Sequence, residues 1–207
     1  MCNSGYLQGG KEDMSMVISA SSMMRRAYSG NAYFKDEGYR KSSSNHDIVS
    51  ADRKAMVRAL EQLEGLDFES DDEDAAKSIC NTITSYLDIY NNAVSSALGS
   101  NSSDIRRIGK HMKELMKEHS SSLEAMGVQV KSDGTVKVDK STLQKATSTQ
   151  VSGVFGNSDY ISGMSKLMKR LRNQVNREAP VQTGTSAEPE SDSLLTETVG
   201  RNLNLYG

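Results

Sequence analysis

Apolar positions along the middle of the chain recur at helical spacing and divide it into segments. Met56, Ala59, Leu60 and Leu63 fall on one face, which predicts a helix from a cap at Ser50 or Asp52 to about Leu63, stopped by Gly65. From about Asp74 to Leu98, the positions Ile79, Ile83, Tyr86, Tyr90, Ala93 and Ala97 repeat at 4-3-4-3-4, a heptad seam widened by Cys80, Leu87 and Val94. A polar loop over 99–103 follows. A third helix is then expected from a cap at Ser103 or Asp104 to about Met126, with Ile105, Ile108, Met112, Leu115, His119 and Met126 on its stripe. Two long amphipathic helices joined by so short a loop read as an antiparallel helical hairpin.

At Gly127 the period changes from helical to two. Val128 and Val130 alternate, as do Val136 and Val138, and Lys131–Ser132–Asp133–Gly134 supplies turn chemistry between them. This predicts a small β-hairpin. Asp139 is placed to cap a short helix over 140–147, and a turn is expected at Gly153–Phe155–Gly156. Ser158 is read as the cap of a last long helix to about Ala179, with Ile161, Met164, Leu167, Met168, Leu171 and Val175 on one face and Pro180 ending it. The fold class is therefore mainly α: an elongated antiparallel helical bundle with one small β-hairpin at about 128–138.

The flanks read differently. Residues 1–45 are rich in Ser, Gly, Asn, Tyr and Met without a sustained period, and are expected to form a disordered N-terminal arm. Residues 46–180 are the helical core. Residues 181–207 are read as a flexible linker followed by a short amphipathic tail, which is too short to fold alone. The apolar residues of these flanks are the candidate interaction residues: Met23, Met24, Tyr28, Leu203 and Leu205.

Composition narrows the function. With apolar residues at 36%, three Phe and no Trp, the core must be built from aliphatic side chains, Met and Tyr. A net charge of −2 gives no general attraction to nucleic acid or anionic membranes. The basic stretch Lys166, Lys169, Arg170 and Arg172 has no interleaved aromatics and reads as a solvated face, or as one that pairs with acidic segments such as 67–74. No apolar run is long enough for membrane insertion, and no cleavable signal peptide is recognised, which leaves export through an uncleaved N-terminus open. Cys2 and Cys80 make no disulfide framework, and Cys80 is expected in the core.

Candidate chemistry is sparse. His111 and His119 flank Glu114 and Glu118, but two turns separate the histidines, beyond the spacing that aims two imidazoles at one ion. His46 stands alone in a polar context. The acidic run 67–74 lacks the central Gly and terminal Glu of a calcium loop. No nucleophile elbow, phosphate loop or dinucleotide fingerprint occurs. No catalytic, cofactor-binding or metal-binding residues are therefore assigned, and the chain is read as a non-enzyme. Met112, Met116, Met126, Met164 and Met168 form either core or an adaptable apolar interface.

The stretch Leu123–Leu143, with Gly127, Val128, Val130, the Asp133–Gly134–Thr135 tip, Val136, Val138 and Asp139, resembles the C-terminal region of bacterial flagellar filament-capping proteins of the hook-associated class. Val151 and Val154–Phe155–Gly156 after it, and Tyr86–Tyr90–Asn91 before it, are similar to the flanking segments of that family; the resemblance covers roughly residues 79–171. It implies a non-catalytic assembly protein, extracellular or flagellar by signal-peptide-independent export, that self-associates or docks on flagellar or surface subunits through its termini, as a possible homo-oligomer. The other reading is a cytoplasmic helical adaptor or secretion chaperone holding a partner helix in a groove.

Overall fold

The computed structural model describes residues 19–70 and 73–179. Among these the architecture is mainly α, with one two-stranded antiparallel sheet. The elements run in the order α1 (Ala20–Ala27), a 3-10 turn (Ala32–Lys35), α2 (Glu37–Ser42), α3 (Asn45–Glu64), α4 (Glu73–Leu98), α5 (Ser103–Glu118) and α6 (Ser120–Ala125). Then follow β1 (Val128–Val130), β2 (Val136–Val138), α7 (Lys140–Leu143), α8 (Ser148–Phe155) and α9 (Ser158–Glu178).

The heptad seam of α4 is the centre of the molecule. Ile83, Tyr86, Leu87, Tyr90, Val94 and Ala97 are fully buried, and α1, α3, α5, α7 and β2 all pack on this helix. Each buried aliphatic side chain contributes on the order of 2 kcal/mol by leaving water. The seam is thus filled within one chain. The five methionines named above are buried in the same core, as is Cys80, whose thiol pKa is pushed up by burial.

The hairpin follows the sequence reading. Val128 pairs with Val138 and Val130 with Val136. Gly127 and Gly134 take positive φ of 81° and 92°, a conformation that an L side chain resists. Asn91 on α4 holds β2 as a neighbouring strand would. Its Nδ2 donates to Val136 O at 2.9 Å, and its Oδ1 accepts from Val136 N at 2.7 Å. The Tyr90 hydroxyl donates to Gly134 O at 2.9 Å.

Several boundaries differ from the sequence reading. The helix expected from Ser50 or Asp52 begins at Asn45. Ser44 is its cap: its Oγ accepts from Asp47 N at 3.1 Å, and Asp52 lies buried within α3. The third helix does not run unbroken to Met126; it stops at His119, whose ring packs edge-on against Tyr160 at 5.2 Å, and helix resumes as α6 from Ser120. The expected turn at 153–156 is instead the end of α8, started by a capping box between Thr147 and Gln150. The short helix after Asp139 ends at Leu143, and α9 is capped by Asn157.

The largest correction concerns the expected disordered arm. Residues 19–44 form α1, packed on α3 and α4, the 3-10 turn, packed on α3, and α2, packed on the 3-10 turn. Ser19 caps α1, accepting from Ser22 N at 3.3 Å. Arg58 of α3 closes the other end, donating to Ala27 O at 3.0 Å and Ser29 O at 2.7 Å. Burial of Met23, Ala27, Tyr28 and Phe34 supplies what local periodicity does not. Residues 1–18 lie outside the described residues.

Candidate docking groove

Helices α3 and α9 lie side by side and antiparallel. Near the start of α3, His46 Nε2 hydrogen-bonds Val175 O of α9 at 2.9 Å. Toward the other end the two helices flank a groove of about 1040 Å³. Its floor is apolar: Leu60 and Leu63 of α3, Phe155 at the end of α8, and Ile161 and Met168 of α9 are all buried. Val57, Leu66 and Phe68 are half-buried and extend the apolar surface toward the opening.

The groove exists because of which residues flank it. On α9, Ser162 and Ser165 occupy the positions beside the floor, and their short side chains leave the trough unfilled. Beyond them stand Lys166, Lys169 and Arg172, all exposed. On α3 the opposite rim carries the exposed carboxylates Glu61 and Glu64, with Arg53 further along. An apolar trough between a mainly basic wall and a partly acidic one is the geometry that receives an amphipathic helix: apolar anchors on the floor, charges along both edges.

The residues singled out from sequence fall into three groups. Met23 and Tyr28, candidate interaction residues, are buried in the chain's own core, and Met24 is half-buried beside them. Leu203 and Leu205 lie outside the described residues. The basic stretch of α9 lines the groove, apart from Arg170. His111 pairs with Glu114 at 2.9 Å on an exposed face of α5. Among the described residues no cluster of three His, Cys, Asp or Glu side chains is placed to hold a metal ion, and no helix is long and apolar enough to cross a membrane.

Two buried polar constellations were not anticipated. Asp52 accepts from Nη1 and Nη2 of Arg40 and from the Tyr28 hydroxyl, and Asn92 Nδ2 donates to that hydroxyl at 3.0 Å. This ties α1, α2, α3 and α4 together. Burial, followed by the charge of Asp52, pushes the Tyr28 phenol far above its ordinary range, so it stays a donor. Tyr86 and Tyr160 share a hydrogen bond of 2.6 Å between hydroxyls, with Tyr160 also near Met116 Sδ at 3.9 Å. The Tyr86–Tyr160 pair is enclosed, whereas Arg40 and Asn92 of the first constellation are half-buried; both constellations are polar-satisfied and hold helices together.

Comparison with protein-family models, with curated proteins and with solved structures found no match to this chain.

Proposed function

We propose that this protein is a non-catalytic assembly or adaptor module that binds an amphipathic partner helix in the groove between α3 and α9. The observation that carries the reading is the groove itself: about 1040 Å³, with an apolar floor beside Lys166, Lys169 and Arg172. The preferred partner is a helix with leucine-like anchors on one face and acidic residues along the edge that meets α9. This reading is favoured over docking through Met23 and Tyr28, because both side chains are already used inside the chain.

The resemblance to filament-capping proteins read from the sequence of residues 79–171 is the ground for proposing a setting in assembly at the cell surface or flagellum. A cytoplasmic adaptor or secretion chaperone would use the same groove on a client helix. The test of helix binding is common to both. A fluorescein-labelled synthetic helix, with leucines on one face and glutamates on the flank, is titrated against the full chain and against Ser165→Arg, which places a long side chain in the trough. Binding that is lost in the variant, with circular dichroism unchanged, supports the reading. Equal binding to both proteins, or to neither at up to about 1 mM helix, overturns it.

A further inference from the structure

We infer that the groove's resident occupant is this chain's own segment 194–206, which closes it in cis and must be displaced by any partner helix; this rests on the groove being a helix-binding surface. The first argument is pattern. Leu195, Val199, Leu203 and Tyr206 recur at 4-4-3, the spacing of a single helical face. The segment is short and carries Gly200, so alone in water it is a poor helix, and only packing of that face on an apolar floor would hold it.

The second argument is length. As a helix, the segment would span about 20 Å at 1.5 Å per residue. The stretch of α9 that lines the groove, from Ile161 to Arg172, runs about 17 Å by the same rise. Helix α9 ends at Glu178, so the chain leaves it about 9 Å beyond Arg172, with the far end of the groove about 26 Å away. The intervening residues 180–193 reach on the order of 20 Å as a coil-like connector. The connector therefore suits a return along α9 without being stretched.

The third argument is charge. Between Pro180 and Tyr206 the sequence carries Glu188, Glu190, Asp192 and Glu197 against the single base Arg201. The groove presents Lys166, Lys169 and Arg172 along α9, and these form no ion pair with other described residues. An acidic connector running back beside a basic wall is steered into place.

A tether of this length gives an effective concentration on the order of a millimolar. Even an intrinsic Kd of about 100 µM would then keep the groove closed about nine-tenths of the time, and an external helix would bind about tenfold more weakly than to an open groove.

The chain has no Trp, so Leu203→Trp in the full-length protein gives a single emission reporter, with Tyr206→Trp as a second in case the first perturbs docking. Blue-shifted emission is expected, with acrylamide quenching several-fold below that of a synthetic 190–207 peptide carrying the same Trp. Both should be independent of protein concentration and should revert in the Ser165→Arg background. Solvent-like emission from both reporters overturns the proposal. Burial that appears only with rising concentration and a dimeric mass by light scattering also overturns it, in favour of a second copy. The groove reading is scored separately, by binding of the labelled leucine–glutamate helix to Leu195→Asp/Leu203→Asp. About tenfold tighter binding than to the unaltered chain supports cis closure. Equal affinity overturns the closure while leaving the groove a helix site, and no binding to either, with both reporters exposed, removes both readings.

Discussion

Arg40 and Asp52 meet in a bidentate ion pair, 2.7 Å along each arm, in which the carboxylate is enclosed and the guanidinium reaches it from α2. The contact fastens the segment 19–44 to the bundle. Arg40 also donates to Phe34 O at 3.0 Å, so one side chain holds both the 3-10 turn and α3. Removing it leaves a buried charge whose remaining donor is the Tyr28 hydroxyl at 2.8 Å. Arg40→Ala is therefore expected to lose about 3–5 kcal/mol in urea unfolding, since an uncompensated buried charge costs more than the pair itself contributes. Arg40→Met combined with Asp52→Leu should recover much of that loss. A cost below about 1 kcal/mol for Arg40→Ala would mean that the pair is not sequestered as described.

That ion pair also marks where sequence reasoning stopped. The long helices were legible because their apolar stripes repeat over many turns, and the hairpin because Gly127, Asp133 and Gly134 carry their own conformational signals. Asp52 looked like a helix cap because its partner sits twelve residues upstream, in a stretch with no period. α1 has only eight residues, and its helix rests on Arg58 and on packing against α4, neither visible locally. α8 was hidden by its glycine, although Thr147 and Gln150 carry the capping-box signal. The basic face of α9 could be read, but not that Ser162 and Ser165 leave a trough beside it, which depends on how α3 and α8 pack.

Gly127 separates α6 from β1, and a Cβ there would come within 2.6 Å of Thr142 Cβ, at a φ of 81°. Gly127→Ala is expected to destabilise the protein by about 2 kcal/mol or more, from the left-handed backbone alone and then from the clash. Gly153 is the control. It lies inside α8, and nothing would stand within 4 Å of an added Cβ. Gly153→Ala should stabilise by up to about 1 kcal/mol. Chemical denaturation of the two variants side by side checks the pair, and a shared sign would refute this account of the α6–β1 junction.

Asp139 gives the stability a specific acid dependence. The Ser141 hydroxyl, at 2.7 Å, and then the Thr142 hydroxyl, at 2.9 Å, hold its carboxyl down from 3.8 to about 2. The folded state therefore takes up this proton later on acidification than the unfolded chain does. The contribution is present above the unfolded value of 3.8 and is lost as pH falls through about 2. Asp139→Asn keeps an oxygen to cap α7 but removes the titration. Stability measured across that window should fall less steeply in the variant than in the parent, and identical slopes would show that Asp139 is not held this way.

The paired phenols offer a test of how the far side of the core is held. Tyr86 on α4 and Tyr160 on α9 are both fully buried, their rings 6.4 Å apart and nearly perpendicular, and Phe155 packs edge-on against each. Burial pushes both phenols well above their ordinary pKa, so neither ionises in the folded state, and each hydroxyl depends on the other. The dependence is unequal. Tyr86→Phe leaves the Tyr160 hydroxyl with Met116 Sδ, a weak acceptor, whereas Tyr160→Phe leaves the Tyr86 hydroxyl without its only described partner. Tyr160→Phe is therefore expected to cost more, within the range of about 1–3 kcal/mol for a stranded buried hydroxyl. The double variant strands nothing, so its cost should fall below the sum of the two single costs. A double-mutant cycle by urea unfolding reads both comparisons at once: additive losses would mean that the hydroxyls do not meet, and a larger loss for Tyr86→Phe would mean that the sulfur contact contributes nothing.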